Sequence, residues 1–362
     1  MKKTLIVIVT AVALVAAIGG VGVYTVNQRT ANSEPVRIDL PADDFHMLCN
    51  LLDQKDVKAN TTFHLFARLL KLDRSVRPGS YIVEPHMHTL ALVRKLRRGQ
   101  QDPLRLTIGK FRLPQDLNNY LDLKLMHDDF DIPLDSFYIV RPDTYEVYWT
   151  VSPEAFMQRM RREYEEFWKR KGVQEDNVVQ VVQEEKGVQV VQGVQVVQDN
   201  STAGGNVLNS LNSLNSLNYQ KSFPLSPRQA IILASIVEEE TNYGPEKPLI
   251  ASVYLNRLRR GMPLQADPTV KYAVGDFTLR RILYSHLAVE SPFNTYLHTG
   301  LPPAPICLPS AASVDAVLHA PQTAYLYFCA SPGLDGTHRF AATLAEHNRN
   351  ADAYHAALSR TR

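Results

Sequence analysis

Residues 4–26, "TLIVIVTAVALVAAIGGVGVYTV", run without a single charge behind Met1, Lys2 and Lys3. At about 1.5 Å per residue, a helix of this length crosses a hydrocarbon core of about 30 Å. A cleaved signal peptide is the competing expectation, but its apolar region usually spans only about 7 to 15 residues, so the length favours an uncleaved anchor. Lys2 and Lys3 on the short side put the N-terminus in the cytoplasm. Residues 1–30 are therefore expected to be a cytoplasmic tip and transmembrane helix, with the rest of the chain on the outer side. No later stretch is apolar for long enough to span.

Beyond the anchor the apolar positions alternate between a period of two and the helical period. "VRIDLPADDFHMLCNLLDQKDV" predicts a short strand and then an amphipathic helix in which Phe45, Leu48, Leu51 and Leu52 share a side. "NTTFHLFARLLKL" repeats the helical pattern behind an Asn or Thr cap, with Phe63, Phe66, Leu69 and Leu70 together. "RPGSYIVEP" reads as a turn and a strand, and "TLALVRKLRRGQ" as a helix closed by Gly99. Residues 36–101 thus form a small first unit of helices and short strands.

Residues 102–171 contain a strand pattern and then a long charged helix that starts at Ser152-Pro153-Glu154 and reads as a connecting arm. Residues 172–220 differ from everything around them. Val-Gln and Leu-Asn-Ser units repeat there with scarcely any aromatic residue to pack, which predicts a disordered or loosely extended surface insert. The last unit, 224–358, opens with a Ser226-Pro227 helix start. It continues through a second helix ended by Gly261, loops rich in Pro, Gly, Asn and Thr, a helix in "SAASVDAVLHA", a buried strand in "AYLYFCA" and a closing helix. The mixture predicts an α+β fold.

Charge and cysteine content narrow the function. Lys and Arg number 39 against 37 Asp and Glu, a net charge of +2 over 362 residues, with no basic tract to suit nucleic acid. The three cysteines are too scattered for a disulfide framework or a zinc site. No nucleotide loop or nucleophile elbow appears, so neither a cofactor nor a metal is expected. His298, His338 and His347 read as structural or surface residues, because no pair sits at metal spacing on one helix.

The chemistry candidates cluster in "SIVEEETNYG", where Glu238, Glu239 and Glu240 end an apolar helix. At about 100° per residue, Glu238 and Glu240 point to opposite sides. Glu238 falls on the buried side beside Ile231 and Ala234, while Glu239 and Glu240 have better access to the polar face. A carboxyl held against apolar neighbours keeps its proton at neutral pH and can act as a general acid, as cleavage of a glycosidic bond requires. A solvated helix end is the ordinary alternative and stays open on these three residues alone. Asn256, Gln265, Asp267, Thr269, Ser291, Asn294, Thr295 and Tyr296 supply sugar-binding or carboxylate-positioning groups downstream, though each also suits a turn or cap.

The segments "ASIVEEET", "IASVYLNRLRRGMPLQADPTVKYAVG", "SPFNTYLHTGLPPAPIC", "YLYFCA" and "HRFAATLAEHN", with "RPDTYEVYWTVSPEAF" and the weaker "RPGSYIVEPHMHTLALVRKLRRG" upstream, resemble the membrane-anchored endolytic peptidoglycan transglycosylases of the MltG (YceG-like) type. The resemblance implies a LysM-like domain at 36–101 that contacts peptidoglycan and a transglycosylase domain at 224–358. By this resemblance the catalytic glutamate is Glu238, with Glu240 supporting it and Gln265, Asp267, Thr269, Asn294, Thr295 and Tyr296 lining the cleft. It also implies an enzyme in the cytoplasmic (inner) membrane with its catalytic domain on the periplasmic side, acting on glycan strands alongside penicillin-binding proteins. A lysozyme-like hydrolase using Asp267 to activate water is one rival expectation, and a non-catalytic peptidoglycan-binding scaffold is the other. Three features depart from the family pattern: Ala304 in place of the usual glycine, a "TIGKFRL" turn without its acidic-glycine pair, and the repeat insert.

Overall fold

The computed structural model describes residues 27–173, 225–279 and 281–360. The expected anchor and the repeat insert lie outside the described residues, apart from the anchor's last few and the insert's first two positions. Among the described residues, no helix is long and apolar enough to cross a membrane. The fold is mixed α+β: the described residues form twelve α-helices and three separate two-stranded antiparallel sheets, in two compact units.

The first unit takes in the described residues up to Ile108 together with Gln115–Asp131 and Asp143–Gln158. Strand β1 (Val36–Leu40) pairs with β2 (Gly79–Val83), Val36 opposite Val83 and Leu40 opposite Gly79. Between them run α1 (Phe45–Gln54) and α2 (Thr61–Leu69), and α3 (Thr89–Arg98) follows. Asp44 caps α1 by accepting from the His46 and Met47 amides, and Asn60 caps α2 by accepting from Phe63, each satisfying orphan N–H donors. Gly99 ends α3 in the left-handed region at φ 63°, which a residue without Cβ occupies at no steric cost. Ile38, Leu40, Leu48, Leu52, Phe63, Tyr81, Leu92 and Leu96 are buried and form the core. Leu69, expected on the buried side of α2, is instead 67% exposed, while Phe66 and Ala67 of the same turn enter the core. A second ladder joins β3 (Leu104–Ile108) to β4 (Asp143–Val147). Helix α4 (Pro114–Lys124) lies in this unit from Gln115 onward, α5 (Leu134–Phe137) belongs to the second unit, and α6 (Pro153–Lys171) begins in the first and continues in the second. Ser152 caps α6 by accepting from the Ala155 amide.

The second unit comprises Gly109–Pro114, Ile132–Pro142 and the chain from Arg159 onward. At its centre is α7 (Pro227–Glu240). A full capping box, Ser226 with Gln229, starts this helix, and every residue from Ala230 to Val237 is buried. A helix apolar on all sides must be enclosed on all sides. It packs against α8 (Lys247–Arg259), α9 (Asp267–Val274) and α11 (Ala311–Leu318), with the short α10 (Tyr284–Leu287) between the last two in sequence. Strands β5 (Tyr327–Ala330) and β6 (His338–Ala341) pair antiparallel, and α12 (Leu344–Arg360) packs on both. The sequence predicts a buried strand at β5. All four of its residues are only half-buried, because a two-stranded ribbon leaves one face open and Tyr327 and Phe328 turn toward a cleft.

Candidate active site

Helix α7 ends in three consecutive glutamates, and each meets a different environment within the second unit. The Glu238 Oε2 atom accepts from Lys247 Nζ at 3.0 Å and from the Ser310 hydroxyl and amide at 2.6 and 3.2 Å. The Ser313 hydroxyl donates to the same oxygen, and Lys247 Nζ donates to Ser313 at 2.9 Å. Burial alone would raise the Glu238 pKa, but the two serines and the ammonium outweigh it and hold this carboxyl below the usual range. Glu238 is therefore held in its ionised form through Oε2.

Glu239 turns toward segment 109–114. Lys110 Nζ lies 2.9 Å from its Oε1, and Arg112 donates to its Oε2 through Nη2 at 2.9 Å and Nε at 3.3 Å. Here too burial is outweighed, and the two cations keep the carboxyl below the ordinary range.

Glu240 is the reverse case. Its one hydrogen-bond donor among the described residues is the Tyr254 hydroxyl, at 2.5 Å. Burial, with the charges of Asp267 and Glu239 adding to it, pushes its pKa up to about 7 against the opposing effects of Tyr254 and Lys271. A carboxyl so placed carries a proton for a large part of the time near neutrality, which suits it to give and then take one. It lines a cleft of about 350 Å³ shared with Tyr254, Arg257, Gln265, Asp267, Tyr296, Tyr327 and His347. Glu240 also lines a second, polar cleft of about 640 Å³ with Asn242, Ser331, Thr337, His338 and Tyr354.

The expectation that Glu238 is the protonated acid is thus corrected. Helical geometry does turn it inward, but what it meets there is an ammonium and two hydroxyls rather than apolar side chains. The expectation that Glu240 has better access to the polar face stands, since it lines both clefts, although its carboxyl is the least compensated of the three.

Of the residues expected to line the cleft, Gln265, Asp267 and Tyr296 do so. Tyr296 donates from its hydroxyl to Asp267 Oδ1 at 2.7 Å. Thr269, Asn294 and Thr295 are fully or almost fully buried and build the loop instead. Thr295 Oγ1 accepts from the Ala266 amide and pairs with Thr269 Oγ1 at 2.8 Å, and Asn294 Nδ2 donates to the Leu287 and Val289 carbonyls. Asn256 likewise ties down residues 323–325 through the Thr323 and Tyr325 carbonyls. These side chains fix the cleft's shape from behind. Sequence reasoning missed Tyr254, Arg257, Tyr327 and His347. The signal for the first two was present, since Tyr254 and Arg257 stand one turn apart on a helix whose other buried positions after Lys247 are small or aliphatic.

A family model described as the YceG-like family matches residues 41–353, most of the chain. The chain belongs to the YceG-like family. Over 134 residues it is 43% identical to a protein of Bacillus subtilis strain 168 named endolytic murein transglycosylase, a match covering 37% of this chain and 36% of the relative. A Streptococcus pneumoniae protein of the same name is 33% identical over 134 residues, covering 36% of this chain and 24% of the relative. The matched region is thus about a third of the Bacillus protein and a quarter of the streptococcal one. Among solved structures, a crystal structure of a yceG-like protein from Listeria monocytogenes is 24% identical and covers 88% of this chain and 99% of that one, with a TM-score of 0.46.

Proposed function

We propose that this YceG-like chain is an endolytic murein transglycosylase whose acid is Glu240. It cleaves the bond between N-acetylmuramic acid and N-acetylglucosamine inside a peptidoglycan strand and leaves a 1,6-anhydro end. The observation that carries the reading is a carboxyl poised near neutrality at the meeting of two clefts. A polymer can then continue on either side of the proton donor, as an internal cut requires. The names of the Bacillus and Streptococcus relatives support the same chemistry.

In the first step protonated Glu240 gives its proton to the glycosidic oxygen as the bond to the anomeric carbon breaks. The resulting carboxylate then takes the proton of the muramic acid 6-hydroxyl, whose oxygen attacks the anomeric carbon. The proton count closes on one residue and no water is consumed. Tyr254, donating to Glu240, steadies the carboxylate formed midway. Gln265 and the carboxylate of Asp267 lie in the same cleft, where positive charge develops.

A lysozyme-like hydrolase is the second reading, because Asp267 shares the cleft with Glu240 and could activate a water. Digestion of purified glycan, read by mass spectrometry, separates the two. Anhydro ends with a broad fall in strand length support the proposal, whereas reducing ends support the hydrolase. Release of only terminal fragments would contradict internal cutting.

Residues 4–26 are read as the anchor that holds the enzyme at the outer face of the cytoplasmic membrane, on the strength of their length and lack of charge. Residues 36–101 are read as a LysM-like module that engages the glycan, supported by a compact unit of two antiparallel strands packed with α1, α2 and α3. Residues 102–171 join it to the catalytic residues 224–358. Partners extending the same strand, such as penicillin-binding proteins, fit an enzyme that limits strand length near the membrane.

A further inference from the structure

Arg257 is 7% exposed, yet no carboxylate forms an ion pair with it among the described residues. Its guanidinium is held by neutral acceptors: Nε donates to the Leu326 carbonyl at 2.7 Å, and Nη1 to the Pro263 and Leu264 carbonyls at 3.2 and 2.9 Å and to Gln265 Oε1 at 3.1 Å. It also lies 5.2 Å from the centre of the Tyr327 ring. Nη2 makes no hydrogen bond among the described residues, and the side chain lines the Glu240 cleft. A buried cation without a counter-ion carries a desolvation cost that an arriving anion would relieve.

Gln265 adds a second set of donors. Its backbone sits in the left-handed region at φ 51°, a strained position for a residue with a side chain, fixed by its N–H to the Thr295 carbonyl at 3.0 Å. Arg can only donate, so the Gln265 amide atom facing it is the oxygen. The Gln265 NH2 group is thereby turned elsewhere and has no acceptor among the described residues. His347 stacks on Tyr327 with ring centres 5.4 Å apart, and burial together with Arg257 pushes its pKa down, so it brings no rival cation. The two acidic side chains of the cleft do not pair with Arg257 either: Asp267 is bonded to Tyr296 and Glu240 to Tyr254, and neither forms a salt bridge with the guanidinium.

Resting on the function proposed above, we infer that Arg257 Nη2 and the Gln265 amide form a carboxylate-binding site that recognises an acidic group of the glycan next to the scissile bond. Two sources supply that chemistry: the carboxylates of a stem peptide, or the lactyl carboxylate of muramic acid once the peptide has been removed.

The test uses the full chain and four glycan preparations: strands with intact peptides, strands stripped by an amidase, and each of these two with its carboxyls converted to amides. The readout is kcat/KM for anhydro-end formation. The site predicts that conversion to amides lowers kcat/KM about tenfold or more, in line with a hydrogen bond to a charged group. Loss on the stripped strand alone assigns the lactyl group, and loss on the peptide-bearing strand alone assigns the peptide. Arg257→Gln should shrink the ratio between acidic and amidated strands to about one. Gln265→Ala keeps the three main-chain anchors of Arg257 and should reduce the ratio only severalfold, which guards against a folding defect in the first variant. Equal rates on acidic and amidated strands by the parent enzyme overturn the inference, as does an Arg257→Gln loss that is the same on both. Failure to cut any strand would instead overturn the proposed function.

Discussion

Glu238 and Glu240 stand two residues apart on one helix and have opposite fates. At Glu238 an ammonium and two hydroxyls converge on a single oxygen, so the proton is driven off. At Glu240 burial and neighbouring negative charge face one phenolic donor, so the proton is retained up to about pH 7. Both side chains are only partly exposed, and the chemistry of their partners sets their pKa values in opposite directions. Depth of burial alone does not identify an acid.

The contrast breaks most sharply at the acid. Glu240→Gln should lower the rate of anhydro-end formation by about 10² to 10⁴-fold, the usual range for general acid–base catalysis, with the fold intact. It should also raise the thermal midpoint relative to the parent at alkaline pH. A raised carboxyl pKa contributes stability that is complete below the unfolded value and lost as pH rises through about 7, and Gln has no such charge to bury.

Glu238→Gln should act on stability instead. Removing one member of a buried ion pair costs about 3 to 5 kcal/mol, because Lys247 is left without its counter-charge at 10% side-chain exposure. Denaturant unfolding measures this directly. For the parent, the Glu238 contribution is present above the unfolded carboxylate pKa and fades as pH falls through its depressed folded value, so acid should narrow the gap between parent and variant.

Tyr254→Phe is a finer probe. The lost hydroxyl was lowering the Glu240 pKa, so the alkaline limb of the rate profile should move to higher pH, while activity below neutrality changes severalfold at most. Tyr296→Phe should have the smallest effect. It frees Asp267 from its 2.7 Å donor while leaving Glu240 and its partner in place, and a fall of a few fold in kcat is expected.

Much of the fold was legible in the chain. The Ser226 capping box, the Asn60 and Asp44 caps and the Gly99 terminator are local signals, and each acts where its residue type predicts. The membership of the cleft was legible in part: Gln265, Asp267 and Tyr296 face it, whereas Thr269, Asn294 and Thr295 hold its wall. The division between facing and supporting depends on which loop carbonyls need donors, and no periodicity encodes that. The choice between Glu238 and Glu240 was illegible for the same reason. Helical spacing separates their directions, but Lys247, Ser310 and Ser313 arrive at Glu238 from other elements, up to 75 positions away in the chain.

The central claim, that Glu240 performs the proton transfer while Glu238 holds the helix in place, is tested most directly by assaying Glu240→Gln and Glu238→Gln side by side on one purified glycan. The temperature is set below both thermal midpoints, and anhydro ends are counted by mass spectrometry. The account predicts that Glu240→Gln stays folded and makes almost no anhydro ends, while Glu238→Gln unfolds earlier yet still makes them. Anhydro ends from Glu240→Gln at the parent rate, with none from a fully folded Glu238→Gln, would contradict it.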